Sequence, residues 1–76
     1  MKFIKIEWVD TWTESGWHSE SYFDFKPIPC TSVGILVKED KDCIAIAQNY
    51  GEMGDCRWGD VTNIPKCAIK KVRELK

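Results

Sequence analysis

The sequence has one histidine, His18, and contains no C-x-x-C pair, no P-loop and no G-x-G-x-x-G among its 76 residues. Each absence removes a class of chemistry. One histidine rules out a metal site built on several imidazoles within a single chain. Without a C-x-x-C pair, the four cysteines Cys30, Cys43, Cys56 and Cys67 do not form a zinc knuckle. The glycines of "GEMGD" come without the lysine and the strand-to-helix setting of a phosphate cradle. No cysteine lies in a nucleophile context, and Asp10 and Glu14 read as solvated acids at a strand end. The expectation is therefore a protein that is not an enzyme and uses no metal and no cofactor.

Long apolar runs are also missing. In "MKFIKIEWVD" lysine and glutamate interrupt the hydrophobic residues, which leaves no signal-peptide core and no membrane span. A cytoplasmic protein with reduced thiols is expected. Eleven basic against twelve acidic residues give a formal charge of -1, so nothing draws the whole chain to nucleic acid or an acidic membrane. The charges are segregated, however. Glu7, Asp10, Glu14, Glu20 and Asp24 are the only charged residues between positions 7 and 24, whereas Lys66, Lys70, Lys71, Arg73 and Lys76 crowd the C-terminal end against Glu74 alone. With no repeat, low-complexity tract or linker, residues 1–76 read as one small domain.

Hydrophobic period two and aromatic residues are what the chain does have. Ile4, Ile6 and Trp8 alternate with Lys5, Glu7 and Val9 in a first strand. "SVGILVKEDKDCIAIAQNY" reads as a hairpin with a charged tip, Val33, Ile35 and Val37 sharing one face and Ile44, Ile46 and Gln48 following the same alternation. Gly34 within it suits a bend or close backbone approach. "GEMGDCRWGD" reads as a loop or loose hairpin tip, "DVTNI" as a short strand, and "AIKKVREL" as a last strand after a helical turn opened by Pro65. Between the first two strands, Ser19 caps one or two helical turns in the favoured reading, although "YFDF" also suits a strand. Five short antiparallel strands that must hide their edges predict an all-β fold, a small SH3-like or Sm-like barrel with a short helix between strands 1 and 2.

"EWVD", "GWHS", "SVGILVKEDKDCIAIAQ" and "IPKCAIKKVREL" together resemble a group of short phage- and prophage-encoded proteins with the pattern W-x-D, G-W, S-V-G-x-L-V-x-E and I-P-x-x-x-I. The closing half also resembles an Sm-type barrel ending. The phage resemblance implies a protein of the host cell cytoplasm that binds host molecules. One class of such proteins consists of oligomeric sponges for nucleotide-derived signals of host defence.

Four tryptophans, two tyrosines and three phenylalanines exceed what so small a core takes in. Trp8 belongs to the apolar alternation and reads as core. Tyr22, Phe23 and Phe25 read as a lid over that core or as a subunit contact. Trp12, Trp17 and Trp58 lie at strand ends or in loops, where a ring is free to stack on a base or close an interface. His18 follows Trp17 and Arg57 precedes Trp58, so each places a cationic donor beside an aromatic plane, as nucleotide recognition requires. Tyr50 adds a hydroxyl. The plain alternatives are an exposed loop histidine and a surface ion pair of Arg57 with Asp55 or Asp60. Trp12, Trp17, His18, Tyr50, Arg57 and Trp58 are the expected ligand-binding residues of a homo-oligomeric sponge. The competing expectations are an Sm-like binder of single-stranded nucleic acid, and a protein-interaction module or minor virion component.

Overall fold

The computed structural model describes residues 1–11, 13, 15–21, 26–52 and 54–76. Alternating apolar residues build five strands, β1 (Phe3–Asp10), β2 (Ile28–Glu39), β3 (Cys43–Tyr50), β4 (Trp58–Pro65) and β5 (Ile69–Leu75). They form one antiparallel sheet in the order β4-β3-β2-β1-β5. The all-β, antiparallel class expected from the sequence is therefore correct, and so are the hairpin of β2 and β3 and the helical turn after Pro65. That turn is a 3-10 segment over Lys66–Ala68.

The first strand behaves as its pattern predicts. Ile4 and Ile6 are buried, and Trp8 packs against the core while its Nε1 donates to Ser32 Oγ on β2 at 3.0 Å. Ile44 and Ile46 of β3 and Ile64 of β4 complete the buried cluster, with Leu36 and Ile69 at its rim. Ile6 and Ile46 come from strands on either side of β2, so the sheet must curl for them to share one core. The curl is visible in the connectivity too. β4 and β5 occupy opposite edges of the sheet, yet only Lys66–Ala68 separates them.

Two features permit that curvature. A Cβ on Gly34 would lie 2.9 Å from the Ala47 carbonyl oxygen and 3.1 Å from the Ile46 Cβ, so β3 approaches β2 where only glycine fits. A bulge follows, since Leu36 pairs with Ile46 and Lys38 with Ala45, leaving Val37 as the extra residue. Because Leu36 is the partner of Ile46, the core face of β2 carries Gly34 and Leu36. Val33 and Ile35 lie on the opposite face, which corrects the alignment expected from the alternation.

The β2–β3 tip is fastened by side-chain chemistry. Asp40 Oδ1 accepts from the amides of Asp42 (2.8 Å) and Cys43 (3.0 Å), as an aspartate does at a turn. The Lys66 amide donates to the Asp42 carbonyl at 2.8 Å, and Lys66 Nζ pairs with Glu39 Oε2 at 2.9 Å. The turn between β4 and β5 is thereby tied to the hairpin tip.

Two finer expectations are not shown. A closed barrel needs a β4–β5 ladder, and among the described residues the sheet stays open between those edges. No helix occurs among the described residues between β1 and β2, where a bend at Gly16 and a turn at Glu20 and Ser21 are found. Tyr22, Phe23, Asp24 and Phe25, to which the lid or subunit contact was assigned, lie outside the described residues. No helix among the described residues is long and apolar enough to cross a membrane.

Candidate ligand site on the β3–β4 hairpin

β3 loses one neighbour before the other. Its register with β2 runs as far as Ile35 opposite Ala47, while pairing with β4 continues to Tyr50 opposite Trp58. The outer part of the hairpin is consequently a two-stranded ribbon. Ribbons of two strands are marginal in water unless local contacts support them, and here such contacts are dense. The Tyr50 and Trp58 rings meet edge-to-face, with centroids 4.9 Å apart and an interplanar angle of 60°. Asn49 Nδ2 donates to Asp60 Oδ2 at 3.0 Å, and the Gly51 amide donates to the Arg57 carbonyl at 2.8 Å.

Backbone geometry explains the sequence of the tip. Gly54 has φ +62°, in the left-handed region that glycine enters without a Cβ penalty. Asp60 also has a positive φ, +53°, which aspartate tolerates better than bulkier residues. Its carboxylate holds Asn49 on the facing strand.

Tyr50, Glu52, Gly54 and Arg57 line an open cavity of about 260 Å³. Arg57 is positioned through its Nε, which donates to the Gly54 carbonyl at 3.1 Å. That bond fixes the guanidinium plane and leaves the Nη groups without a hydrogen-bond partner among the described residues. The surface ion pair with Asp55 or Asp60 does not form among the described residues. A planar donor fork, the Tyr50 ring and one carboxylate, Glu52, thus line one cavity, with the Trp58 ring in edge-to-face contact with Tyr50. Such a set can stack on a flat heterocycle, meet an anionic oxygen and accept a hydrogen bond from an amino or hydroxyl group.

Of the six residues expected to bind ligand, Tyr50 and Arg57 line this cavity, and Trp58 does not line it but packs against Tyr50. Trp17 is fully exposed and does not line the cavity. His18 is not part of the lining either, and its Nε2 donates to the Ser15 carbonyl at 2.9 Å. Trp12 lies outside the described residues. Glu52 and Gly54 were not foreseen as lining residues. The signal for them was the pair of glycines at positions 51 and 54, which turn the chain back and place Glu52 near the aromatic pair.

The four thiols are free, with Cys30 and Cys43 half-buried and Cys56 and Cys67 exposed. No cluster of three or more potential metal ligands occurs among the described residues. Comparison of the chain with protein-family models, curated proteins and solved structures finds no match.

Proposed function

We propose that this chain is a non-enzymatic binding protein that holds a nucleotide-derived small molecule at the tip of the β3–β4 hairpin and acts by sequestering it. The observation that carries this reading is the Tyr50–Trp58 ring pair beside an Arg57 whose guanidinium is oriented by Gly54. A base stacks on the exposed ring face, Arg57 meets a phosphate, and Glu52 accepts from an exocyclic amino group or ribose hydroxyl.

Size argues for more than one copy. The cavity of about 260 Å³ falls just short of the roughly 300–1,000 Å³ typical of small-molecule sites, so one hairpin takes about one base-sized group. A second protomer's hairpin would enclose the rest, giving a homo-oligomeric sponge. The short link from β4 to β5 supports reading the curled sheet as an open relative of an SH3-like or Sm-like barrel. The phage resemblance supplies the setting, a host defence signal in the host cytoplasm.

Native mass spectrometry of the intact protein with cyclic di- and trinucleotides and ADP-ribose tests the proposal. The expected result is an oligomeric mass carrying ligand adducts at micromolar concentration, abolished by Arg57→Ala and by Trp58→Ala. A bare monomer with no adduct from any of these compounds overturns it.

A further inference from the structure

The face of the sheet opposite the isoleucine core has a second constellation, independent of the hairpin cavity. Register sets Lys5 on β1 directly opposite Arg73 on β5, so two like charges share one face at the closest cross-strand spacing. Neither forms an ion pair among the described residues. Directly opposed like charges are destabilising, so this arrangement costs the fold stability that a neutral pair would not. Lys71 lies on the same face of β5, two residues from Arg73 and roughly 6.8 Å away along an antiparallel strand. Glu7 stands opposite Lys71, which leaves the Lys5–Arg73 pair as the uncompensated centre.

Apolar groups border the pair. Phe3 and Val33 are 49% and 48% exposed, and register places Phe3 beside Lys5 along β1 and Val33 opposite Lys5 on β2. An exposed ring next to a row of cations matches what a single-stranded nucleic acid presents, a splayed base followed by phosphates at regular intervals. Folded duplex offers no base face to Phe3, and a lipid surface requires no ring set beside a directly opposed pair of cations. Of the acidic residues in positions 7–24 only Glu7 and Asp10 lie on β1, and β5 carries Glu74 against Lys70, Lys71 and Arg73, so the net charge of -1 conceals a basic region near β5.

We infer that the outer face of β1 and β5 binds single-stranded nucleic acid, with Lys5, Lys71 and Arg73 on consecutive phosphates and Phe3 stacked on a base. Sequence preference is weak, because phosphate contacts and stacking do not read base edges.

The test is fluorescence anisotropy of a labelled oligothymidine titrated with the intact protein across a salt series. Wild type is expected to bind with a log-log salt slope of about -2, since each phosphate neutralised on a single strand contributes about -0.7. Lys5→Gln with Arg73→Gln is expected to flatten the slope by about 1.4 while leaving the melting temperature equal or higher, because the repulsion is removed. Phe3→Leu is expected to weaken binding roughly fivefold or more with the slope intact, and Lys41→Gln, a charge on the β2–β3 turn, is expected to change neither. The inference is overturned if wild type fails to bind at low salt, or if the double variant keeps the full slope. Equal binding of duplex that is indifferent to Phe3→Leu, or equal retention on phosphatidylserine vesicles, overturns it as well.

Discussion

Gly34 and Asp40 stand within a few positions of each other on the same hairpin, and each governs the backbone through a different kind of contact. At Gly34 the contact is steric. Adding a methyl there drives it to 2.9 Å from the Ala47 carbonyl, a backbone atom that cannot rotate away. Gly34→Ala is expected to destabilise the fold by about 1–3 kcal/mol, the usual range for overpacking, read as a lower urea midpoint with an unchanged m-value. At Asp40 the contact is electrostatic. Hydrogen bonds from the amides of Asp42 and Cys43 favour its carboxylate and hold its pKa below the ordinary 3.8, assisted by Lys66 and Lys38 and opposed by partial desolvation. A depressed folded-state pKa stabilises above the unfolded value and is lost as pH falls through the folded one. Asp40→Ala is therefore expected to lower the melting temperature near neutral pH, with the difference from wild type shrinking once the pH drops below 3.8. A difference that stays constant down to pH 2 would contradict this account. Gly34 could be read from the sequence as a site of bending, because a glycine inside an apolar strand has few other uses. The role of Asp40 depends on which amides the turn aims at it, and the charged string "KEDKD" does not encode that.

Among the elements, alternation located the strands well and assigned their faces less well. β1 matches its pattern residue by residue, because no bulge interrupts its pairing with β2. In β2 every position from Val33 to Val37 is apolar or glycine, so period two offers no contrast between faces, and the bulge at Val37 then shifts the parity. β4 begins at Trp58, inside a stretch whose glycines and charges read as loop. Cross-strand contacts with Asn49 and Tyr50 extend the strand there, and those partners are invisible in a window confined to "GEMGDCRWGD". The candidate site was legible to the same extent. Tyr50, Arg57 and Trp58 sit close along one hairpin and were brought together, whereas joining Trp17 and His18 to them required a long-range contact that no local pattern specifies. The ribbon also adds no member to the buried core cluster, whose last residue on β3 is Ile46. Trp58→Ala is accordingly expected to cost about 1 kcal/mol or less in global stability while exchange of the Gly51 amide accelerates strongly. If the whole sheet loses protection together, the ribbon is not a separate unit.

The whole molecule is built around very little buried material. Ile6, Ile46 and Ile64 are its only fully buried large side chains among the described residues. The radius of gyration is 15.8 Å and the extents are 51 × 25 × 21 Å, against about 11 Å for a compact chain of this length. An elongated body with two open sheet edges and few buried residues gains from self-association, which is the physical basis for expecting an oligomer. Composition already implied that weakness, since 76 residues cannot enclose nine aromatic side chains. The openness of the sheet was not implied, because the same strand order suits an open curl or a closed cylinder until the β4–β5 spacing is known.

The position of β1 between β2 and β5 has a consequence in time. Of the five strands, β1 is made before the others yet lies inside the sheet, and one of its two partners, β5, is made after them, with Phe3 opposite Leu75. Until that final segment arrives, β1 offers a row of unpaired amides and carbonyls to any strand nearby. Closing the β1–β5 ladder spans nearly the whole chain, so for its size this domain should fold slowly and all at once, rather than piece by piece during synthesis.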